Sequence, residues 1–204
     1  MISIGITGGI GSGKTTVSKL FQQQYHISVF DADSVAKKLA QQNSSAKKEI
    51  EKNFGSMYDK NGILLHKKLA EIVFSSSDQL EILNSIIHPL VFKEFLQWKS
   101  RLQTQASYCL AEAALLFESG MDNFVDYSFS IIADEAIRIS RIIHRDTSSP
   151  DEIARRMQYQ LSNDEHKKLA DFILENNGTP EELTRKVLFY HTLFSTLKER
   201  EAEQ

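Results

Sequence analysis

Apolar positions along the chain follow two alternating rhythms. Short, β-branched or aromatic runs read as buried strands: Ile2-Ser3-Ile4-Gly5-Ile6, Ile27-Ser28-Val29-Phe30, Tyr108-Cys109-Leu110-Ala111, Tyr127 through Ala133, and Phe172-Ile173-Leu174. Between them the apolar residues recur at helical spacing. Val17, Leu20 and Phe21 share a face after the first run, and Val35, Leu39 and Ala40 follow the second. A helix over 135–144 follows the fourth run. The tail from Pro180 is one amphipathic helix carrying Leu183, Val187, Tyr190, Phe194 and Leu197. Strands separated by helices predict an α/β fold, a five-stranded parallel sheet with helices on both faces. Such sheets take ligands at the carboxyl ends of their strands. The turn after the first run, the Asp31-Ala32-Asp33 segment after the second and the residues beyond Ala133 therefore share one rim.

One stretch breaks the alternation. From about residue 45 to 105 only the helical period is present: Ile50 and Phe54, then Leu64, Leu65, Leu69, Ile72 and Val73, then Leu80, Leu83, Ile86 and Ile87. Gly55 is expected to end the first of these helices, and Asn61-Gly62 marks a turn. Pro89 is expected to open a new helix through Phe92, Phe95, Leu96 and Trp98, since proline suits a first turn. Residues 34–105 thus read as a helical insertion above the rim, able to cover a second substrate.

The first turn carries the clearest chemistry. Gly8-Gly9-Ile10-Gly11-Ser12-Gly13-Lys14-Thr15 joins a strand to a helix and fits G-x-x-x-x-G-K-[ST], the phosphate-binding loop. Glycines let backbone N–H groups curl around phosphate oxygens. Lys14 is placed to reach the β- and γ-phosphates, and the Thr15 hydroxyl to ligate Mg²⁺. The helix N-terminus adds unpaired N–H donors and a positive dipole end. Gly9, Gly11, Ser12, Gly13, Lys14, Thr15 and Thr16 are therefore the expected ATP-binding set. The dinucleotide alternative, G-x-G-x-x-G with an acidic residue about 20 positions on, fails on spacing. It would need glycine at Thr16 or at Lys14.

Composition narrows the setting. In 204 residues, 41% are hydrophobic and 25% charged, ordinary for a globular chain. The net charge of −3 provides no global field for nucleic acid. The single cysteine, Cys109, lies in an apolar run and reads as a buried core thiol. No apolar stretch has the length of a membrane span and none reads as a signal peptide, so the expected location is cytoplasmic. Nothing in the chain marks an oligomeric state.

Phosphoryl transfer to an alcohol needs a carboxylate at the acceptor hydroxyl. Asp33, beyond the second strand, suits that role, with a helix N-cap as the bland reading. Asp31 is a weaker candidate by position. Glu112, at the end of the third strand, suits water-mediated contact with Mg²⁺, contact with the acceptor, or no more than a strand-end charge. Arg138, Arg141 and Arg145 recur at helical spacing; they form either a solvated face or a set of charges that neutralises a phosphoryl transition state. His88, before Pro89, is by itself a structural histidine more readily than a catalytic one.

In order along the chain, these segments resemble the dephospho-coenzyme A kinase family. The resemblance lies in Gly5 through Thr16, Phe30-Asp31-Ala32-Asp33, Leu83-Asn84-Ser85-Ile86-Ile87-His88-Pro89, Leu115-Leu116-Phe117-Glu118-Ser119, Arg141 through Asp146, Arg156 with Gln160, and Ala170 through Gly178. It implies a three-layer P-loop kinase core in a single domain, with a coenzyme-binding helical region and a lid at about 142–166. It implies transfer of the γ-phosphate of the co-substrate ATP, with Mg²⁺, to the 3′-hydroxyl of dephospho-coenzyme A, with no nucleic-acid or membrane partner. By match, Asp33 is the base and acceptor-orienting group, and Lys14 and Arg141 are the other catalytic residues. Arg141 and Arg145 are lid-side phosphate contacts, and Asp33, Lys67 and His88 serve the acceptor. By position, Glu112 joins the acceptor set and Asn176 is expected beside the nucleotide. Two positions depart from the family pattern. Ala114 stands where proline is common, and Lys67 where arginine is frequent, which removes a planar fork at the acceptor side. The competing functions are another small P-loop kinase acting on a nucleoside or nucleotide, and a non-catalytic ATP-binding module.

Overall fold

The five apolar runs pair as one parallel sheet. In the computed structural model β1 (Ile2–Thr7), β2 (Val29–Asp31), β3 (Tyr108–Glu112), β4 (Tyr127–Ile132) and β5 (Phe172–Glu175) lie in the order β2-β3-β1-β4-β5. The helices are α1 (Lys14–Tyr25), α2 (Ala32–Gln42), α3 (Ser44–Phe54), α4 (His66–Val73), α5 (Ser77–Arg101), α6 (Glu135–Arg145), α7 (Asn163–Leu169) and α8 (Pro180–Thr196). The structure describes residues 1–73, 75–103, 106–145, 157, 158 and 160–197; the side chain of Arg145 and the expected lid-helix residue Arg156 fall outside that set. Two compact units divide the chain, one of Met1–Asp31 with Leu102–Gln204 and the other of Ala32–Arg101.

In the first unit the strand pattern sorts side chains onto two unlike faces. Ile2, Ile4, Ile6, Tyr108, Leu110, Phe129 and Ile131 share a core with Val17 and Phe21 of α1 and Leu183, Val187 and Phe194 of α8. Phe21 and Phe194 are fully buried and stack at 6.1 Å, and Phe129 meets Phe194 edge-on at 5.2 Å. Each such side chain stabilises the fold by about 1.5–3 kcal/mol through burial alone. The opposite face is small and polar, and carboxylates satisfy it. Asp126 accepts from Ser3 Oγ at 2.6 Å, and Asp171 from Ser128 Oγ at 2.8 Å. Gly5 leaves the room on this face that Leu116 fills. The register pairs Ile6 with Glu112 and Glu112 with Asp31, so both carboxylates stand at the carboxyl edge of the sheet.

The second unit is helical. Ala46, Ile50 and Phe54 of α3, Leu69 and Val73 of α4, and Ile87, Val91 and Phe95 of α5 are buried. Asn43 caps α3 by accepting from Ala46 N–H at 2.9 Å, and Gly55 closes that helix at φ 77°. Gln41 clasps the Asn61-Gly62 turn, donating to the Gly62 carbonyl at 2.9 Å and accepting from Leu64 N–H at 2.8 Å.

Three expectations are corrected. Pro89 does not open a helix; it lies inside α5, which runs unbroken for 25 residues. A buried proline-flanking face of Ile87, Val91 and Phe95 outweighs the lost N–H and the clash with the preceding turn, about 3 kcal/mol. The second strand covers Val29–Asp31 and not residues 27–30. Finally α2 begins at Ala32, so Asp33 is in its first turn and is not the N-cap.

Candidate active site

The phosphate loop spans residues 8–13, between β1 and α1, at the carboxyl edge of the sheet. Its path needs glycine at specific points. Gly13 precedes α1 at φ 100°, and a Cβ there would run into the Asn176 amide. Gly8 adopts φ 141°, and a Cβ there would meet the Ile131 carbonyl. The first turn of α1 carries no acidic residue of its own and opens on Lys14, which leaves its N–H donors and positive dipole end available to an anion. Thr7 Oγ1 and Ser12 Oγ are buried without a hydrogen-bond partner among the described residues. Buried hydroxyls of this kind suit a ligand that brings acceptor oxygens.

Side chains from four elements converge on this loop. Lys14 Nζ donates to the Gly8 carbonyl at 3.0 Å, holding the ammonium across the loop. Thr15 Oγ1 donates to Glu112 Oε1 at 2.6 Å, joining the start of α1 to the end of β3. Thr16 is exposed on the same helical turn. From α6, Arg141 donates to the Asn176 carbonyl at 3.0 Å and, at the long distances of 3.5 and 3.4 Å, to the carbonyls of Gly11 and Ser12. Asn176 is buried and donates through Nδ2 to the Ser12 carbonyl at 2.8 Å. Its neighbour Asn177 exchanges two 2.9 Å bonds with Asp134, which fixes the turn after β5 against the end of β4. The structure thus gathers the glycines, Ser12, Lys14, Thr15, Glu112, Arg141 and Asn176 around one cradle.

The remaining expected residues belong to the helical unit. Asp33 is exposed in the first turn of α2, two positions past the end of β2. Lys67 is exposed in the first turn of α4. His88 is half-buried in α5 with its ring 6.0 Å from Phe92, and burial lowers its pKa.

Three more residues contact or lie near the loop: Arg138 and Gln160, named in the sequence without a role at the loop, and His166, which the sequence did not single out. Arg138, one turn before Arg141, is only 6% exposed and donates through Nε to the Ile10 carbonyl at 2.9 Å. Gln160 accepts from the Ile10 N–H at 2.7 Å. His166, on α7, is buried with Nδ1 3.0 Å from Ser130 Oγ. Its pKa is lowered to about 4, first by burial and then by the charges of Arg138 and Lys14. Helical spacing flagged Arg138 as one of an arginine series, but only packing distinguishes a buried guanidinium from a solvated one.

Hard oxygen donors, a threonine hydroxyl and a carboxylate in contact, are the ligand types Mg²⁺ prefers, and it commonly takes few protein ligands beside phosphates and water. Among the described residues no cluster of three His, Cys, Asp or Glu side chains could hold a metal ion by itself. None of the described helices is long and apolar enough to cross a membrane.

A sequence model of the family described as Dephospho-CoA kinase matches residues 2–182. A dephospho-CoA kinase of Salinibacter ruber is 43% identical over 188 residues, covering 91% of this chain and 94% of its own. The crystal structure of TT1252 from Thermus thermophilus superposes with TM-score 0.81 at 30% identity, covering 97% of this chain and 98% of that one. The dephospho-CoA kinase from Campylobacter jejuni shares the fold, with TM-score 0.70 at 24% identity and coverage of 95% and 96%.

Proposed function

This chain belongs to the dephospho-CoA kinase family, and from that premise we propose how its residues divide the work. The reaction of the family is transfer of the ATP γ-phosphate to the ribose 3′-hydroxyl of dephospho-coenzyme A, giving coenzyme A and ADP. Little covalent chemistry falls to the protein in such a transfer; positioning and charge stabilisation do the rest.

The observation that carries the assignment is the loop between β1 and α1. The α1 N-terminus, with no acidic residue in its first turn, and Lys14 stand together beside the glycine-rich loop at the edge of a parallel sheet. Lys14, released from the Gly8 carbonyl, serves the β- and γ-phosphates. Arg141 neutralises phosphate charge as the γ-phosphoryl group leaves, and its bond to the Asn176 carbonyl keeps the fork aimed at the loop. Asn176 occupies the Ser12 carbonyl, which turns one acceptor of the loop away from use against a phosphate. Arg145 is the second arginine of the proposed lid-side set, on its place in the sequence alone. Thr15, with Glu112 directly or through water, would hold Mg²⁺, whose chemistry is to draw off charge from the phosphate oxygens. The Thr15 hydroxyl can ligate through a lone pair while donating its proton to Glu112.

Asp33 orients the acceptor hydroxyl and takes its proton. Support comes from its place in the Asp31-Ala32-Asp33 segment and its exposure at the start of α2. Lys67 and His88, on α4 and α5, serve the acceptor. Lys67 acts there as a point charge without the two-pronged geometry of arginine. A cytoplasmic setting accords with a sequence that has a single cysteine, Cys109, and so forms no disulfide within itself.

A coupled ADP-release assay across acceptors tests the proposal. ADP should form with dephospho-coenzyme A and Mg²⁺, and not with nucleosides or nucleotides. Release with one of those acceptors, and none with dephospho-coenzyme A, would reject it.

A further inference from the structure

Ile10, at the apex of the phosphate loop, is gripped on three sides. Its N–H donates to Gln160 Oε1 at 2.7 Å and its carbonyl accepts from Arg138 Nε at 2.9 Å. Its side chain is buried with Ile142 and Met157 in a small cluster separate from the main core. The same guanidinium then passes over Gly9, where a Cβ would collide with its Nη2 and Cζ atoms.

Arg138 is 6% exposed, and no described carboxylate forms an ion pair with it. Glu135, one turn earlier on α6, is the acidic group whose charge it feels, and burial still lowers its pKa. A buried cation without a counter-ion is costly, and sequences retain one where a ligand supplies the missing charge. A second residue lies in the same field. His166, behind the loop on α7, is held neutral partly by the charges of Arg138 and Lys14, so both act on one small region.

We propose that Arg138 is a positioning residue of the phosphotransfer site, fixing the loop apex through Ile10 and holding a permanent positive charge beneath the loop for the nucleotide's polyphosphate. Gln160 shares the first task and not the second. This rests on the nucleotide-binding part of the functional reading above. A plain loop staple would affect all nucleotides alike, whereas a buried charge favours them in order of their own charge.

The test is calorimetric binding of ATP, ADP and AMP to the full chain and to Arg138→Gln, Arg138→Lys and Gln160→Ala. Arg138→Gln keeps a donor for the Ile10 carbonyl and removes the charge. It should weaken ATP about tenfold, ADP less and AMP about twofold or less. Arg138→Lys should keep the wild-type ATP-to-AMP ratio within about threefold, and Gln160→Ala should lower all three affinities without changing that ratio. Equal losses for the three nucleotides in Arg138→Gln, or no loss, overturn the proposal. If Arg138→Gln does not fold, the lysine variant decides, and a collapsed ATP-to-AMP ratio there rejects the assignment. Transfer by the wild-type chain is measured alongside. Nucleotide grading with a different acceptor would sink the dephospho-coenzyme A reading alone, and coenzyme A formation without grading would sink the Arg138 assignment alone.

Discussion

Lys14 bridges the phosphate loop to the Gly8 carbonyl at 3.0 Å, a contact a neutral partner can hold only weakly against a polyphosphate. Lys14→Ala should therefore lower kcat/KM by several kcal/mol of transition-state stabilisation, read from initial rates at varied ATP. Activity at the wild-type level would remove the loop from the chemistry. Asp33→Asn should behave differently, with ATP affinity near normal and kcat down about 10²-fold or more, the scale of a general base. Weaker ATP binding with intact turnover would place Asp33 on the nucleotide side. The sequence singles out both residues by spacing: a lysine at a fixed offset from glycines, and an acid just past a strand. Arg138 was not, since its helical spacing is the same for a solvated arginine and for one buried under a loop. What separates them is the burial of its guanidinium against Gly9 and the Ile10 carbonyl, which no local pattern encodes.

α5 shows where local rules give way to packing. Pro89 predicts a helix boundary, and the chain instead continues through it because Ile87, Val91 and Phe95 are buried on one side. Pro89→Ala should then raise stability by about 1–3 kcal/mol in urea unfolding, since it restores an N–H donor and removes the clash with the preceding turn. A loss of stability would mean that the proline sets a bend on which the helical unit depends. The turn after β5 makes the complementary case. Asn176-Asn177-Gly178 reads from sequence as a strand terminator, and it also carries the amide that faces Gly13 and holds Ser12. Asn176→Ala should leave β5 in place and weaken ATP binding by about 1–2 kcal/mol, measured by titration calorimetry. The five strands and the closing helix were readable because each has a single strong period. The short β2 was misplaced by two residues because its apolar run begins before its pairing does.

At the scale of the whole molecule, burial of a histidine beside the charged loop leaves a mark on stability. His166 is neutral when folded, with its pKa lowered to about 4 from 6.5, whereas an unfolded histidine titrates near the ordinary value. Its contribution is complete above pH 6.5 and is lost as pH falls through 6.5 toward 4, by up to about 1.4 kcal/mol per pH unit. Burial lowers His88 and His191 as well, adding in the same direction. His166→Gln, which keeps a partner for Ser130 and cannot be protonated there, should flatten the fall in urea-unfolding free energy over that window. An unchanged slope would mean that His166 is not the group that titrates. The central claim concerns the path of one phosphoryl group, and isotopic labelling follows it directly. With ATP labelled at the γ-phosphorus and dephospho-coenzyme A as acceptor, the label should appear in the 3′-phosphomonoester of coenzyme A, in equal amount to the ADP formed. Label recovered as inorganic phosphate, or on any other hydroxyl of the acceptor, would contradict the account.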